Sequence, residues 1–328
     1  MKKHTPLYLV VFGITVVILI MYRFINTNYK SIHEDKKTDN LLNCQNIKEL
    51  EKQAKQGKPS ALSELGFCYE TGQGVSKSYE KSFALYSESA KQGYGIAQFN
   101  IGNAYRHGRG VTLNYQKAVE WYHKAAEQNI IRAQVVLGNM YINGQGVPMD
   151  TNKAIEWYTK AEKYNNTAAM NNLGNIYSDG TGIPTDNKRA EDWYLKAVNL
   201  GSMSARNSLG AFYGRGLGRH PGDQDKALQL VEASACQGYV PAQINLGSFY
   251  TENDGEAPVD YKKAYAWYYI AFINGSVNAE SKLNLLTRKM SIEELKDANI
   301  LAAEYSEKYR SSPIENDTYK SQTECRYP

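Results

Sequence analysis

The amino-acid sequence predicts an all-α fold: a solenoid of about six helical hairpins with helical caps, set behind an N-terminal transmembrane helix. Three observations carry this. Leu-Gly or Ile-Gly pairs place Gly66, Gly102, Gly138, Gly174 and Gly210 at intervals of 36 residues, and Gly247 follows after 37. A period of that size kept over six copies marks a stacked array in which each unit buries its apolar face only against its neighbours. Within each period two apolar patterns of helical spacing follow one another. The chain of 328 residues also holds 26 tyrosines and 26 glycines, an unusual pair of counts that regular use in a repeated unit explains.

Residues 1–6 form a short tail, and residues 7–25 read as a membrane anchor. Leu7 to Tyr22 contains no charged residue, and Phe24 and Ile25 extend the span if Arg23 snorkels to the interface. No small-residue A-x-A-like site follows, which favours an uncleaved anchor over a cleaved signal peptide, the alternative reading. Lys2 and Lys3 before the span are opposed by Arg23, Lys30, Lys36 and Lys37 after it, so charge nearly balances and leaves the orientation open. A linker, 26–45, leads to a capping helix within 46–59. Gly57 stands 36 residues before Gly93, so Ile47 to Gln56 reads as an unpaired second helix closing the stack.

The repeats occupy 60–275, and the copy from Ala97 to Asn129 is the cleanest. Ala97, Ile101 and Tyr105 recur at four-residue steps on a first helix, with Gly102 beside Ile101. Ala118, Trp121, Tyr122, Ala125 and Ala126 follow the i, i+3, i+4, i+7, i+8 pattern of an amphipathic second helix. A glycine inside a helix costs about 1 kcal/mol relative to alanine. Repeating that cost predicts a compensating close approach of the paired helix through its Trp or Tyr ring. Tyr69, Tyr105, Tyr141, Tyr177, Tyr213 and Tyr250 read as core. The second helix ends at Gly93, Asn129, Asn165, Gly201, Gly238 and Gly275, the two residue types that most readily take the left-handed conformation. Residues 276–310 supply capping helices, Ala279 to Leu286 and Ser291 to Tyr309, and 311–328 form a tail.

Gly144-Gln145-Gly146 resembles the start of a phosphate-binding loop. The same pattern recurs as Gly72-Gln73-Gly74, Gly108-Arg109-Gly110, Gly180-Thr181-Gly182 and Gly216-Leu217-Gly218, always between the two helices. A phosphate site is needed once and a hairpin turn in every repeat, so these are turns. No H-E-x-x-H, C-x-x-C, G-x-S-x-G or G-x-x-x-x-G-K-[ST] pattern occurs, and no catalytic residue, metal site or cofactor is predicted. The net charge of +4 is too small to mark a nucleic-acid binder.

Ala133-Gln134, Leu137-Gly138, Tyr141, Gly144, Gly146-Val147, Lys153-Ala154, Trp157-Tyr158 and Ala161 stand in the order of a Sel-1-like repeat, a longer relative of the tetratricopeptide repeat, and the chain resembles that family over roughly Ser60 to Gly275. The resemblance implies a right-handed α/α superhelix and a role in protein–protein interaction rather than catalysis. Leu85 and Leu230 depart from the tryptophan position, and the fifth and sixth copies carry extra loop residues near Arg219 to Asp223 and Asn253 to Pro258.

Stacked units create an extended concave face lined by first helices. Asn103, Asn139 and Asn175, facing away from the packed stripe, recur there in three successive repeats, with Arg106 beside them and Phe99, Asn171 and Asn207 three residues before their glycines. An asparagine ladder offers both donors and an acceptor to an extended peptide. Ordinary solvated asparagine is the competing reading. Trp267 and Tyr268 occupy the Trp121 and Tyr122 positions and read as core, with Tyr265 and Tyr269 shielding the last hairpin from the terminal helix. The even set Cys44, Cys68, Cys236 and Cys325 fits two disulfides in an oxidising compartment or four thiols. The expected protein is therefore a membrane-tethered scaffold binding a protein partner, single-pass in a bacterial inner membrane with its repeats in the periplasm. The alternative is an immunity-type inhibitor of a secreted antibacterial toxin.

Overall fold

The computed structural model describes residues 44–218, 224–251 and 259–309. The expected anchor 7–25, both tails, Cys325 and the long loops of the fifth and sixth repeats lie outside the described residues. Among the described residues there are fifteen helices and no strand. They fall into two compact units, Met1–Ile130 and Ile131–Pro328. The first holds α1 (Ile47–Lys55), α2 (Pro59–Thr71), α3 (Tyr79–Lys91), α4 (Gly95–His107) and α5 (Tyr115–Glu127). The second holds α6 (Ile131–Asn143), α7 (Thr151–Glu162), α8 (Thr167–Asp179), α9 (Asn187–Asn199), α10 (Met203–Gly214), α11 (Gln224–Cys236), α12 (Val240–Phe249), α13 (Tyr261–Ile273), α14 (Val277–Thr287) and α15 (Ile292–Tyr309).

Second helices begin on side-chain caps. Ser78, Asn114, Asp150, Asp186 and Asp260 accept from the main-chain N–H three residues on, at 2.9 to 3.2 Å, satisfying a donor that has no partner inside the helix. They end as expected: Asn129 and Asn165 take φ of 62° and 58°, and the corresponding glycines are also left-handed. Each first helix packs along the second helix of its own repeat, α2 on α3, α4 on α5, α6 on α7, α8 on α9, α10 on α11 and α12 on α13.

The mid-helix glycines stand where a ring crosses. A Cβ at Gly102 would lie 2.6 Å from Tyr122 Cδ1, and one at Gly174 would lie 2.5 Å from Tyr194 Cε1. Gly66, Gly138 and Gly247 meet Tyr86, Tyr158 and Tyr268 in the same way. The compensating contact is therefore the tyrosine, not the tryptophan before it. The second glycine of a turn serves a different approach: a Cβ at Gly74 would stand 2.6 Å from the Cys44 carbonyl oxygen, where the turn docks against the chain entering α1.

The first-helix tyrosines are only partly core. Tyr141, Tyr213 and Tyr250 are buried, whereas Tyr69, Tyr105 and Tyr177 are half-exposed. A basic side chain lies 5.2 to 5.5 Å from the centroid of each of the six rings: Lys81, Lys117, Lys153, Arg189, Lys226 and Lys263. These cations lie over the ring faces of buried and half-exposed tyrosines alike. At the amino end α1 buries Leu50 and Ala54 against Ala61, Leu62 and Leu65. At the carboxyl end α13 packs against both α14 and α15, and Trp267 meets Tyr305 and Tyr309 at 5.1 and 5.4 Å. Tyr265 stacks with Tyr269 and donates to Asn299 Oδ1 of α15 at 3.0 Å. Asn284, in a glycine position, is exposed, so no ring crosses there and no glycine is required.

Candidate partner-binding face

The asparagines of the expected ladder do not face away from the packed stripe. Tyr122 donates its hydroxyl to Asn103 Oδ1 at 2.7 Å, Tyr158 to Asn139 Oδ1 at 2.6 Å and Tyr194 to Asn175 Oδ1 at 2.7 Å. The physical reason is the ring that crosses each glycine. Its hydroxyl is carried past the helix, and a buried O–H requires an acceptor. Burial holds the Tyr122 and Tyr194 hydroxyls up to about 12, and pushes Tyr158 up as well, so all three stay protonated donors at neutral pH.

The acceptor varies with the donor across the repeats. In the first copy Phe67 replaces the asparagine, and Tyr86 donates instead to Glu70 Oε2 at 3.0 Å. Arg109 then pairs with Glu70 at 2.8 Å. In the fifth copy Val231 replaces the tyrosine and Ala211 the asparagine, so donor and acceptor are lost together. In the sixth, Ser248 and the Tyr268 hydroxyl lie 3.1 Å apart. The asparagine is thus an acceptor for a core tyrosine before it is anything else.

The remaining expected residues are also engaged. Phe99 is half-buried with its ring 5.7 Å from that of Tyr122. Arg106 is half-exposed beside the Tyr122 hydroxyl. Asn171 buries its Oδ1 with no hydrogen-bond partner among the described residues. Asn207 accepts from Asn245 Nδ2 at 2.9 Å.

Within Ile131–Pro328, polar bridges tie successive first helices. Asn172 Nδ2 donates to Asn139 Oδ1 at 3.2 Å, joining α8 to α6. Arg215, at the end of α10, donates to Ser178 Oγ at 2.8 Å and pairs with Asp179 at 3.4 Å, reaching α8. Asn245 joins α12 to α10 through Asn207, and Lys282 Nζ joins α14 to α12 through Ser248 Oγ at 3.0 Å. Asn172, Asn245 and Lys282 were not singled out in the sequence. A column two residues before the glycine, Asn100, Asn172 and Asn245, was the available signal.

The model of the Sel1 repeat matches residues 59–94, 95–130, 131–163, 167–202, 204–239 and 240–276. The chain belongs to the Sel1 repeat family. Among solved structures it is similar to a protective antigen of uropathogenic Escherichia coli strains with the same repeat fold, at 32% identity and a TM-score of 0.68. That match covers 81% of this chain and 57% of the antigen, so the chain spans little more than half of that relative's length. A Sel1 repeat protein from Oxalobacter formigenes matches at 30% identity and a TM-score of 0.65, covering 74% of this chain and 96% of the other. The immunity protein Pa5087 from Pseudomonas aeruginosa aligns more loosely, at 20% identity and a TM-score of 0.42 over 60% of this chain and 75% of its own. No curated protein matches.

Sel1 repeat proteins are protein-interaction folds rather than enzymes, and no group of His, Cys, Asp and Glu suited to a metal occurs among the described residues. A recess at the last Sel1 hairpin is lined by Asp260, Lys262, Lys263, Asp297, Ile300, Leu301 and Glu304. Lys262 is paired with Asp297 and Lys263 with Asp260, so much of its charge is spent internally. Cys44 and Cys68 form a disulfide with Cα atoms 5.7 Å apart, and Cys236 is half-buried.

The tyrosine–asparagine bond changes one expectation about stability. From the sequence, Asn139→Ala leaves the fold intact. In the structure it strips the acceptor from a hydroxyl on a side chain only 2% exposed. An orphaned buried hydroxyl costs about 1–3 kcal/mol. Urea unfolding of Asn139→Ala is expected to show a loss in that range, and Asn139→Asp, which keeps an acceptor, a smaller one. Equal losses from the two substitutions would count against the bond.

Proposed function

We propose that the chain is a membrane-tethered interaction scaffold whose first-helix face holds a protein partner at a bacterial inner membrane, with the repeats in the periplasm. The observation that carries this reading is the row of side-chain bridges along the first helices of Ile131–Pro328. Polar groups shared between neighbouring repeats make a continuous, preorganised surface, which lowers the ordering cost of binding an extended partner. The Cys44–Cys68 bond supports an oxidising compartment. The tether rests on residues 7–25, in which Arg23 is the one charged residue; among the described residues no helix is long and apolar enough to cross a membrane.

The test is photo-crosslinking in the native membrane from positions on first helices and, separately, on second helices, followed by mass spectrometry. Several proteins captured from the first-helix positions support a scaffold. One stoichiometric partner captured there points instead to a dedicated inhibitor of a secreted toxin. Cross-links only from second helices overturn the assignment of the face.

A further inference from the structure

The amides of the first-helix row in Ile131–Pro328 are held in one orientation. The Tyr158 and Tyr194 hydroxyls give their hydrogens to Asn139 Oδ1 and Asn175 Oδ1 at 2.6 and 2.7 Å. Asn139 and Asn175 therefore turn their oxygens inward. Asn207 spends its oxygen on Asn245. The Nδ2 groups of Asn139, Asn175 and Asn207 have no acceptor among the described residues and stand on half-exposed side chains. Asn172 and Asn245 leave their oxygens without a donor among the described residues, so the row sets three uncommitted Nδ2 groups against two such oxygens.

Charge runs the same way. The first helices of this unit, with Arg215 at the end of α10, carry Arg132, Arg206, Arg215 and Lys282 against Asp179 and Glu280. Arg215 already neutralises Asp179, and Lys282 rests on a neutral serine. A surface of outward N–H donors and cations complements a ligand that presents oxygens.

We propose that the first-helix row of Ile131–Pro328 binds an extended acidic polypeptide segment. Its main-chain carbonyls meet the N–H groups of Asn139, Asn175 and Asn207, and its carboxylates meet Lys282. Main-chain N–H groups of the same segment find the oxygens of Asn172 and Asn245. Recognition in this form reads an extended backbone and its charge rather than a particular side-chain sequence. The inference rests on the interaction reading above and adds the chemistry of the partner.

The test uses the full chain and two fluorescein-labelled peptides, one alternating Asp and Ser and the other Lys and Ser, followed by anisotropy. The Asp peptide is expected to bind, to weaken as salt is raised, and to outbind the Lys peptide. The double variant Asn139→Asp/Asn175→Asp keeps an acceptor for each tyrosine but replaces the outward N–H groups with oxygens. It is expected to raise the Kd for the Asp peptide by about tenfold or more while its thermal melt stays close to wild type. Equal binding of the two peptides, or an unchanged Kd in the double variant, overturns the proposal. If native partners cross-link to the first helices while the Asp peptide fails to bind, the acidic segment falls and the interaction reading stands. If no partner cross-links to the first helices, both fall.

Discussion

Gly138→Leu is expected to unfold its own hairpin and destabilise the repeats beside it, a loss of about 3 kcal/mol or more. The position lies against the ring of Tyr158, which is 2% exposed and has no room to retreat. A Cβ alone already overlaps the ring, and leucine adds three more carbons. The helical gain from replacing glycine is about 1 kcal/mol. Overpacking a filled core commonly costs 1–3 kcal/mol, and driving the ring aside also breaks the Tyr158–Asn139 bond, about 1–3 kcal/mol more. The unfavourable side wins. Circular dichroism melts and urea titrations measure the loss, and a melt for Gly138→Leu that overlays wild type would sink the argument. A cycle isolates the cause: Gly138→Ala should be less harmful when combined with Tyr158→Leu than the two single losses added together.

The repeat frame was legible in the sequence because its marks are strict chemical necessities. Only a residue without Cβ tolerates a ring across the helix, and only glycine or asparagine ends every second helix comfortably in the left-handed region. These demands recur with the repeat, so they appear as a period. The role of Asn139 was not legible in the same way. Periodicity assigns a residue to a face, but its hydrogen-bond partner stands 19 residues later on another helix, and no helical pattern links the two. The clue was substitution in step: Val231 with Ala211, and Phe67 with the shift of Tyr86 to Glu70. The cations over the first-helix tyrosines escaped for a similar reason, since lysine two or three residues into a helix reads as ordinary surface. The pairing of Cys44 with Cys68 depended on how the chain enters α1, where no periodic signal exists.

Reduction of the Cys44–Cys68 bond is expected to release the amino-terminal cap before the rest of the array melts. The bond closes a loop with a sequence separation of 24, and cross-linking a loop of that size removes about 3 kcal/mol of denatured-state freedom in the chain-entropy account. What it holds is weak on its own. Helix α1 has nine residues and buries only Leu50 and Ala54, and a helix so short is not stable by itself in water. Once detached, it would uncover Leu62 and Leu65 of α2, the apolar surface packed against it. A thermal melt in reductant should therefore begin at lower temperature with an early phase, and amide exchange should rise first in α1 and α2. Cys44→Ser/Cys68→Ser should reproduce that profile without reductant. Coincident melts of the oxidised and reduced chain would mean that packing alone seats the cap. The difference matters because residue 44 is where the chain leading from the expected membrane anchor meets the first repeat. A bonded cap passes any pull from that side into α2, whereas a reduced one lets nine residues of helix peel away.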